Sequence, residues 1–262
     1  MIIARNLDTV VVGAGFAGMY CLYKQIQDGF NAEIFEKADD VGGTWYWNKY
    51  PGARCDIESM DYSYSFSEEL QQEWNWKEKY GTQPEILEYA RFVSKKFNLR
   101  EKINFKTSIV KARFINNKWM IETDNNIKIE CKYLVLATGN LSTPNTPNIE
   151  GLSNFKGRIY HTGAWPEKMP EFEGRKVGII GTGSSGVQSI PVISETAQKL
   201  LVFQRTANFS LPARHCELAE NKRENYKKNY KKYRELAQNS SFGIAKYQPP
   251  TKSAFDVNEV ER

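Results

Sequence analysis

The run Asp8-Thr9-Val10-Val11-Val12-Gly13-Ala14-Gly15-Phe16-Ala17-Gly18 constrains this chain more than any other stretch. Its β-branched apolar residues read as a buried parallel strand. The strand feeds a G-x-G-x-x-G turn, which opens a helix. Gly13 permits the sharp turn, Gly15 lets the backbone approach a pyrophosphate, and Gly18 lets helix and strand pack closely. The first-turn N–H groups and the positive end of the helix dipole then face the ligand. Leu22 and Ile26 follow at helical spacing and are expected to face the sheet, and Gly29 to stop the helix. Ala32–Phe35 reads as the second strand. Glu36 sits at its end, eighteen positions past Gly18, where this fold places an acid on the ribose hydroxyls. The glycine pattern alone is also what an ordinary turn shows. The strand before it, the helix after it and the acid in its place outweigh that reading.

The same logic returns at Lys176-Val177-Gly178-Ile179-Ile180-Gly181-Thr182-Gly183-Ser184-Ser185-Gly186. Ser184 and Ser185 add hydroxyl donors beside the phosphates, and Pro191 is expected to kink or end the helix. The following strand, Leu200 to Phe203, ends on Gln204-Arg205-Thr206 instead of an acid. An arginine there suits a 2′-phosphate, which favours NADP over NAD. The two serines make no G-x-S-x-G elbow, so a hydrolase gains no support. Two fingerprints, one suited to the adenosine of FAD and one to NADPH, imply electron transfer from nicotinamide to flavin.

Between the fingerprints the signals are coarser. A loop from Lys37 to Asp56 carries Trp45, Tyr46, Trp47 and Tyr50 without helix or strand periodicity. Such a loop packs on a ring cofactor or another domain, or forms a small surface core of its own. Asp56 lies among Arg54, Cys55 and Glu58, where a plain salt bridge would also account for it. Pro84 to Leu99 reads as a helix with Ile86, Ala90, Val93 and Phe97 on one face. Four short strands are expected at 103–105, 108–115, 118–123 and 127–131, the last three forming an antiparallel meander around asparagine-rich turns. Tyr133 to Gly139 reads as a further, buried strand.

At 262 residues the chain is long enough for one or two domains. Its start is too quickly polar for a signal peptide, and no apolar run is long enough to span a membrane. Four scattered cysteines and two histidines make a metal site an unlikely use and fit reduced thiols in the cytoplasm. The net charge of +5 is local: residues 220–238 hold seven Lys/Arg against three Glu. Tyr226, Tyr230, Tyr233 and Leu236 recur there at helical spacing, so one amphipathic helix with a solvated basic face is expected, with no nucleic-acid partner.

The stretch Phe155-Lys156-Gly157-Arg158-Ile159-Tyr160-His161-Thr162-Gly163-Ala164-Trp165-Pro166 says little by itself; a lone histidine in a loop is more often structural than catalytic. It matches in full, at Phe155, Gly157, His161, Trp165 and Pro166, the F-x-G-x-x-x-H-x-x-x-W-P fingerprint of the Baeyer–Villiger monooxygenases. With Gly42-Gly43-Thr44-Trp45-Tyr46-Trp47 and Tyr50-Pro51-Gly52-Ala53-Arg54-Cys55-Asp56, the chain resembles these class B flavoprotein monooxygenases over most of residues 8 to 215. The resemblance implies FAD held by Gly13, Gly15, Gly18, Glu36, Thr44, Trp45, Tyr46, Trp47, Asp56, Tyr62 and Ile109. It implies NADPH held by Arg54, Cys55, Asp56, Thr182, Gly183, Ser184, Ser185, Gly186, Val187, Gln188, Arg205 and Thr206. His161 and Trp165 would couple cofactor binding to domain motion. The implied reaction is hydride transfer to FAD, formation of a flavin peroxide with O2, and attack on a ketone to give an ester or lactone. Asp56 would position an arginine beside the flavin; in the family that arginine comes from a later segment, absent here.

The expected fold is α/β: two Rossmann-like dinucleotide-binding units, FAD then NADP, the second incomplete, with a small antiparallel meander and a C-terminal helical segment. The expected divisions are 1–140 for FAD, 141–215 for NADP and 216–262 for the start of a helical insertion. An open sheet edge is expected near Leu200 to Phe203, and the 220–238 helix is expected to have no compact domain around it. Family members are roughly twice as long, so two readings stay open. One is an enzyme, or half of one completed by a second polypeptide. The other is a non-catalytic FAD-binding fragment; under either reading this chain alone is expected to make no ester. A related flavin N- or S-monooxygenase is the alternative within the first.

Overall fold

The computed structural model describes residues 5–208, 210–245, 251–253 and 255–259. The first strand, β1 (Arg5–Val12), runs through the glycine turn into α1 (Phe16–Gln27) and returns as β2 (Ala32–Phe35). Together with β3 (Ile103–Asn104), β4 (Ile109–Ile115), β5 (Lys118–Thr123) and β6 (Lys128–Leu136) these form one sheet in the order β3-β2-β1-β6-β5-β4. The strands β3, β2, β1 and β6 are mutually parallel, whereas β4, β5 and β6 pair antiparallel. Alternate residues of β1 enter opposite faces. Val11 packs with Met19, Leu22, Ile34 and Ala90; Val10 packs with Phe35, Ile121 and Ile129. Burial on both faces is the reason the strand reads as an unbroken apolar run.

Several elements differ in detail from the sequence expectation. Leu22 is fully buried, but Ile26 is 41 % exposed. Gly18, Met19 and Leu22 define the inward stripe of α1, and a residue four positions further is rotated about 40° off it. The expected strands at 127–131 and 133–139 are one strand, β6, because no turn residue separates them. It pairs with β1 along its length, and its first half pairs with β5 as well. That second half is not buried as expected: Tyr133 is 44 % and Leu136 68 % exposed. The helix α4 (Gln83–Lys96) stops before Leu99, because Asn98 adopts a left-handed conformation and a 3-10 turn follows.

The second fingerprint forms β7 (Lys176–Ile180), α5 (Ser184–Ser194) and β8 (Lys199–Phe203). Pro191 is accommodated inside α5, which ends three residues later. Among the described residues β7 and β8 pair only with each other, and Leu201, Val202 and Phe203 are exposed, the open edge the sequence predicts.

By contact density the chain divides into two compact units, one comprising residues up to Arg54 with Thr82–Leu211, the other Cys55–Gly81 with the residues from Pro212 on. The second contains α3 (Glu68–Glu73), α6 (Glu220–Lys228) and α7 (Tyr230–Gln238). The expected single helix breaks at Asn229, whose side-chain amide donates to the Asn225 carbonyl at 2.8 Å. Nor does it lack surroundings. Tyr226 and Tyr230 are buried, and the Tyr226 hydroxyl donates to Asp61. Arg234 donates to Ser63 Oγ at 2.7 Å and to the carbonyls of Asp61 and Ser63 at 3.0 and 3.1 Å. The inward-facing stripe stops short of Leu236, which is 40 % exposed.

Candidate functional site: two matching glycine loops

The two glycine turns are copies of one frame, with counterparts 168 positions apart (13 to 181). Gly13 and Gly181 have φ of +102° and +100°. Gly15 and Gly183 both cap their helices in extended conformation, with φ of −76° and −71°. The Gly13 N–H donates to Phe35 O at 2.9 Å and that of Gly181 to Phe203 O at 2.8 Å. A Cβ at Gly18 would lie 1.9 Å from Gly13 O, and one at Gly186 2.4 Å from Gly181 O, so both third glycines are sterically required. Neither helix has a side-chain cap or an acid in its first turn. Both termini therefore offer their N–H groups and dipole to an anion.

The frames diverge at the end of the second strand. Glu36 is buried and accepts from the N–H of Ala14 at 2.6 Å and of Ala38 at 2.8 Å. A carboxylate has about four acceptor sites, so two remain for hydroxyl donors. The counterpart of Glu36 is Gln204, whose amide donates to Thr182 Oγ1 at 2.7 Å; Thr182 is itself the counterpart of Ala14. Arg205 and Thr206 follow, both exposed. Ile109 opens β4 opposite Thr123, half-buried.

The aromatic loop folds as a one-turn helix, α2 (Thr44–Trp47). Gly43 holds it against the first glycine turn: a Cβ there would fall 2.8 Å from Gly15 Cα. The Gly42 N–H donates to Ala14 O at 3.0 Å. Trp45 is buried, Tyr46 donates to Asp39 at 2.7 Å, and the Lys37 ammonium lies 4.5 Å from the Trp47 ring centre.

Contacts that sequence reasoning missed tie this loop to the second fingerprint. Tyr50 donates to Gln188 Oε1 at 2.8 Å, as does the Arg54 N–H at 3.3 Å. Gln188 Nε2 donates back to Arg54 O at 3.0 Å. The Gln83 side chain donates to Trp45 O. No local pattern marks Gln83 or Tyr50; the Pro51-Gly52 turn was the one available signal, and Gly52 (φ +76°) is where the backbone meets Gln188, 2.2 Å from any added Cβ.

The F-x-G…W-P stretch makes mostly local contacts, but the buried indole Nε1 of Trp165 has no hydrogen-bond partner among the described residues. Phe155 covers Gly157, where a Cβ would sit 2.5 Å from the ring. His161 Nδ1 accepts from the Gly163 N–H at 3.0 Å, so Nε2 carries the proton toward Asn145 O at 3.2 Å. Trp165 packs on Tyr160 and Phe172 at 5.6 and 6.3 Å, and Pro166 follows it directly.

Cys55, Asp56 and Tyr62 belong to the second unit. Cys55 is buried, accepts from the Ile57 N–H at 3.4 Å, and burial pushes its thiol up to about 11. Asp56 is exposed; Tyr62 is half-buried and its N–H donates to Glu58 O at 3.0 Å. All four cysteines are free thiols. Among the described residues no helix is long and apolar enough to cross a membrane, and no three His, Cys, Asp or Glu side chains gather as a metal would need.

A family model described as pyridine nucleotide-disulphide oxidoreductase matches residues 10–243. The phenazine N-monooxygenase of Lysobacter antibioticus is 42 % identical over 260 residues, 98 % of this chain and 48 % of that protein. A Baeyer-Villiger monooxygenase of Pseudooceanicola batsensis is 42 % identical over 258 residues, 96 % of this chain and 47 % of that one. A solved structure of an oxidized steroid monooxygenase bound to NADP superposes with a TM-score of 0.90 at 49 % identity, covering 98 % of this chain and 49 % of that chain. The chain thus spans about half the length of the relatives it matches. Its paired glycine loops and these matches agree: the chain belongs to the pyridine nucleotide-disulphide oxidoreductase family, on the branch of the class B flavoprotein monooxygenases.

Proposed function

We propose that this chain forms the dinucleotide-binding part of an FAD- and NADPH-dependent monooxygenase that inserts oxygen beside a ketone carbonyl. The observation that carries the reading is the pair of equivalent glycine frames, one ending in a buried acid and one in an amide followed by arginine. The donor sets fit the two cofactors. Each uncapped helix terminus suits a pyrophosphate, and the open acceptor sites of Glu36 suit two ribose hydroxyls. Arg205 suits a 2′-phosphate. Gly13, Gly15, Gly18 and Glu36 would hold FAD, with Thr44, Trp45, Tyr46 and Trp47 excluding water from one side. Thr182, Gly183, Ser184, Ser185, Gly186, Val187, Arg205 and Thr206 would hold NADPH. The chemistry supplied by the flavin when bound is passage of two electrons from NADPH to O2, one oxygen atom entering the substrate and the other leaving as water. The similarity to Baeyer-Villiger and steroid monooxygenases supports the ketone class.

A second reading, oxygenation of an aromatic ring nitrogen, is favoured by the equal identity to a phenazine N-monooxygenase. The protein supplemented with FAD, NADPH and O2 and given cyclic ketones, aryl ketones and phenazine separates the two: lactone or ester supports the first, N-oxide the second. The cofactor assignment has its own test. Arg205→Ala should weaken NADPH binding at least about tenfold and leave NADH binding within about twofold, since only NADPH carries the extra phosphate. Equal losses would mean that Arg205 does not read it.

A further inference from the structure

The two glycine loops are joined by one continuous set of contacts inside a single compact unit. From the second loop, α5 presents Gln188, whose side-chain amide pairs with both backbone groups of Arg54 while accepting from Tyr50. Gly52 packs against the backbone of the same residue. The loop from Tyr50 to Arg54 is pinned on its other side, where the Gln83 N–H donates to Ala53 O at 2.8 Å. The Gln83 side chain then holds Trp45 O at the end of a segment whose Gly42 and Gly43 pack on Ala14 and Gly15 of the first loop. An amide matched to a peptide group on both sides has one good geometry. A shift of α5 on filling its N-terminus must therefore be transmitted or must break this pairing.

Resting on the two-nucleotide reading above, we propose that Gln188 is a positioning residue that couples the two loops: a nucleotide at the second raises the affinity of the first. The sequence resemblance places Gln188 among the NADPH contacts; its observed partners give it this different task.

The test is the FAD dissociation constant of the purified protein, read by flavin fluorescence with and without saturating NADP+. Their ratio is the coupling factor, and linkage requires the same factor when the order is reversed. The wild type should give at least about fivefold. Gln188→Met keeps the side chain's length but not its hydrogen bonds, and should bring the ratio to within about twofold of one. Tyr50→Phe, which removes one of these bonds, should give an intermediate ratio. Far-UV circular dichroism checks that each variant is folded. A ratio in folded Gln188→Met equal to the wild type's overturns the inference. So does loss of NADP+ affinity with the ratio kept, which would make Gln188 a direct ligand. A wild-type ratio of one with both nucleotides bound also overturns the inference, but leaves the functional reading standing. Failure of the wild type to bind either nucleotide overturns the functional reading and the inference with it.

Discussion

Glu36 stands where local structure and ligand recognition meet. Its buried carboxylate closes the first glycine loop by accepting two backbone N–H groups, which leaves about two acceptor sites for the proposed ribose hydroxyls. Glu36→Ala should weaken FAD binding by ~1.5–3 kcal/mol, roughly ten- to hundredfold. Unchanged affinity by fluorescence titration would remove Glu36 from the site. That an acid belongs here was legible from its distance to Gly18. The fate of Gln188 was not, because a glutamine has no spacing signature and its partners lie 134 and 138 positions away. The same holds for Cys55, whose burial depends on neighbours that only the folded chain brings together.

Helices and strands were the most legible level, and their ends the least. The periodic core of α4 appears where its apolar face predicts, but its end is set by one left-handed asparagine. The single strand β6 carries two patterns, alternating and then continuous, because its neighbours change along its length. Asp40 shows how elements are fastened beyond their apolar faces. It accepts from Arg91 of α4 at 2.6 Å and from Arg100 of the following 3-10 turn at 2.7 Å. Burial alone would raise its pKa, but these two hydrogen bonds, with help from the Val41 N–H, hold it below the usual value. A carboxyl depressed on folding stabilises above its unfolded pKa, about 4, and that contribution is lost as pH falls through the lower folded value. Asp40→Asn should therefore lower the unfolding temperature at neutral pH, by a difference that shrinks as pH falls below the unfolded value of about 4; a constant difference down to pH 2 would exclude the linkage. In the second unit, Arg234 donates to three carbonyls of the 60–63 turn, those of Met60, Asp61 and Ser63. Arg234→Ala should cost about 2 kcal/mol in denaturant unfolding of that unit, several times the effect of Lys231→Ala on the exposed side of α7. Equal effects would mean that the turn holds itself.

For the whole molecule, the sequence conveys two nucleotide units and the open edge of the second, and among the described residues the strand pairing agrees with it. β1 is bonded on both sides and fully buried at Val10 and Val11, whereas among the described residues β7 and β8 have only each other and lie largely exposed. A two-stranded sheet is marginal in water. Amide hydrogen exchange should therefore be at least about tenfold faster at Val177 to Ile180 than at Thr9 to Val12, and NADP+ should slow the former. Equal protection without nucleotide would show that the second sheet needs no further support. That residues 55–81 join the segment from 212 on was not legible, because the two are far apart in sequence and no periodicity links them.

The register of β1 has a consequence for the order in which the molecule assembles. Thr9 pairs with Ala32 and Val177 with Leu200, so each frame first closes across the same 23 residues (9 to 32, 177 to 200). The first frame also needs Thr9 opposite Tyr133, across 124 residues, and only then does Gly13 settle against Ala137. Closing the longer loop costs about 1.5 kcal/mol more in chain entropy. The second frame is thus complete, within the described residues, as soon as its local unit of strand, crossover helix and parallel strand has formed. The first frame forms as quickly but is locked late. The site whose motif opens the chain is finished only when the meander has folded and delivered β6 to its side.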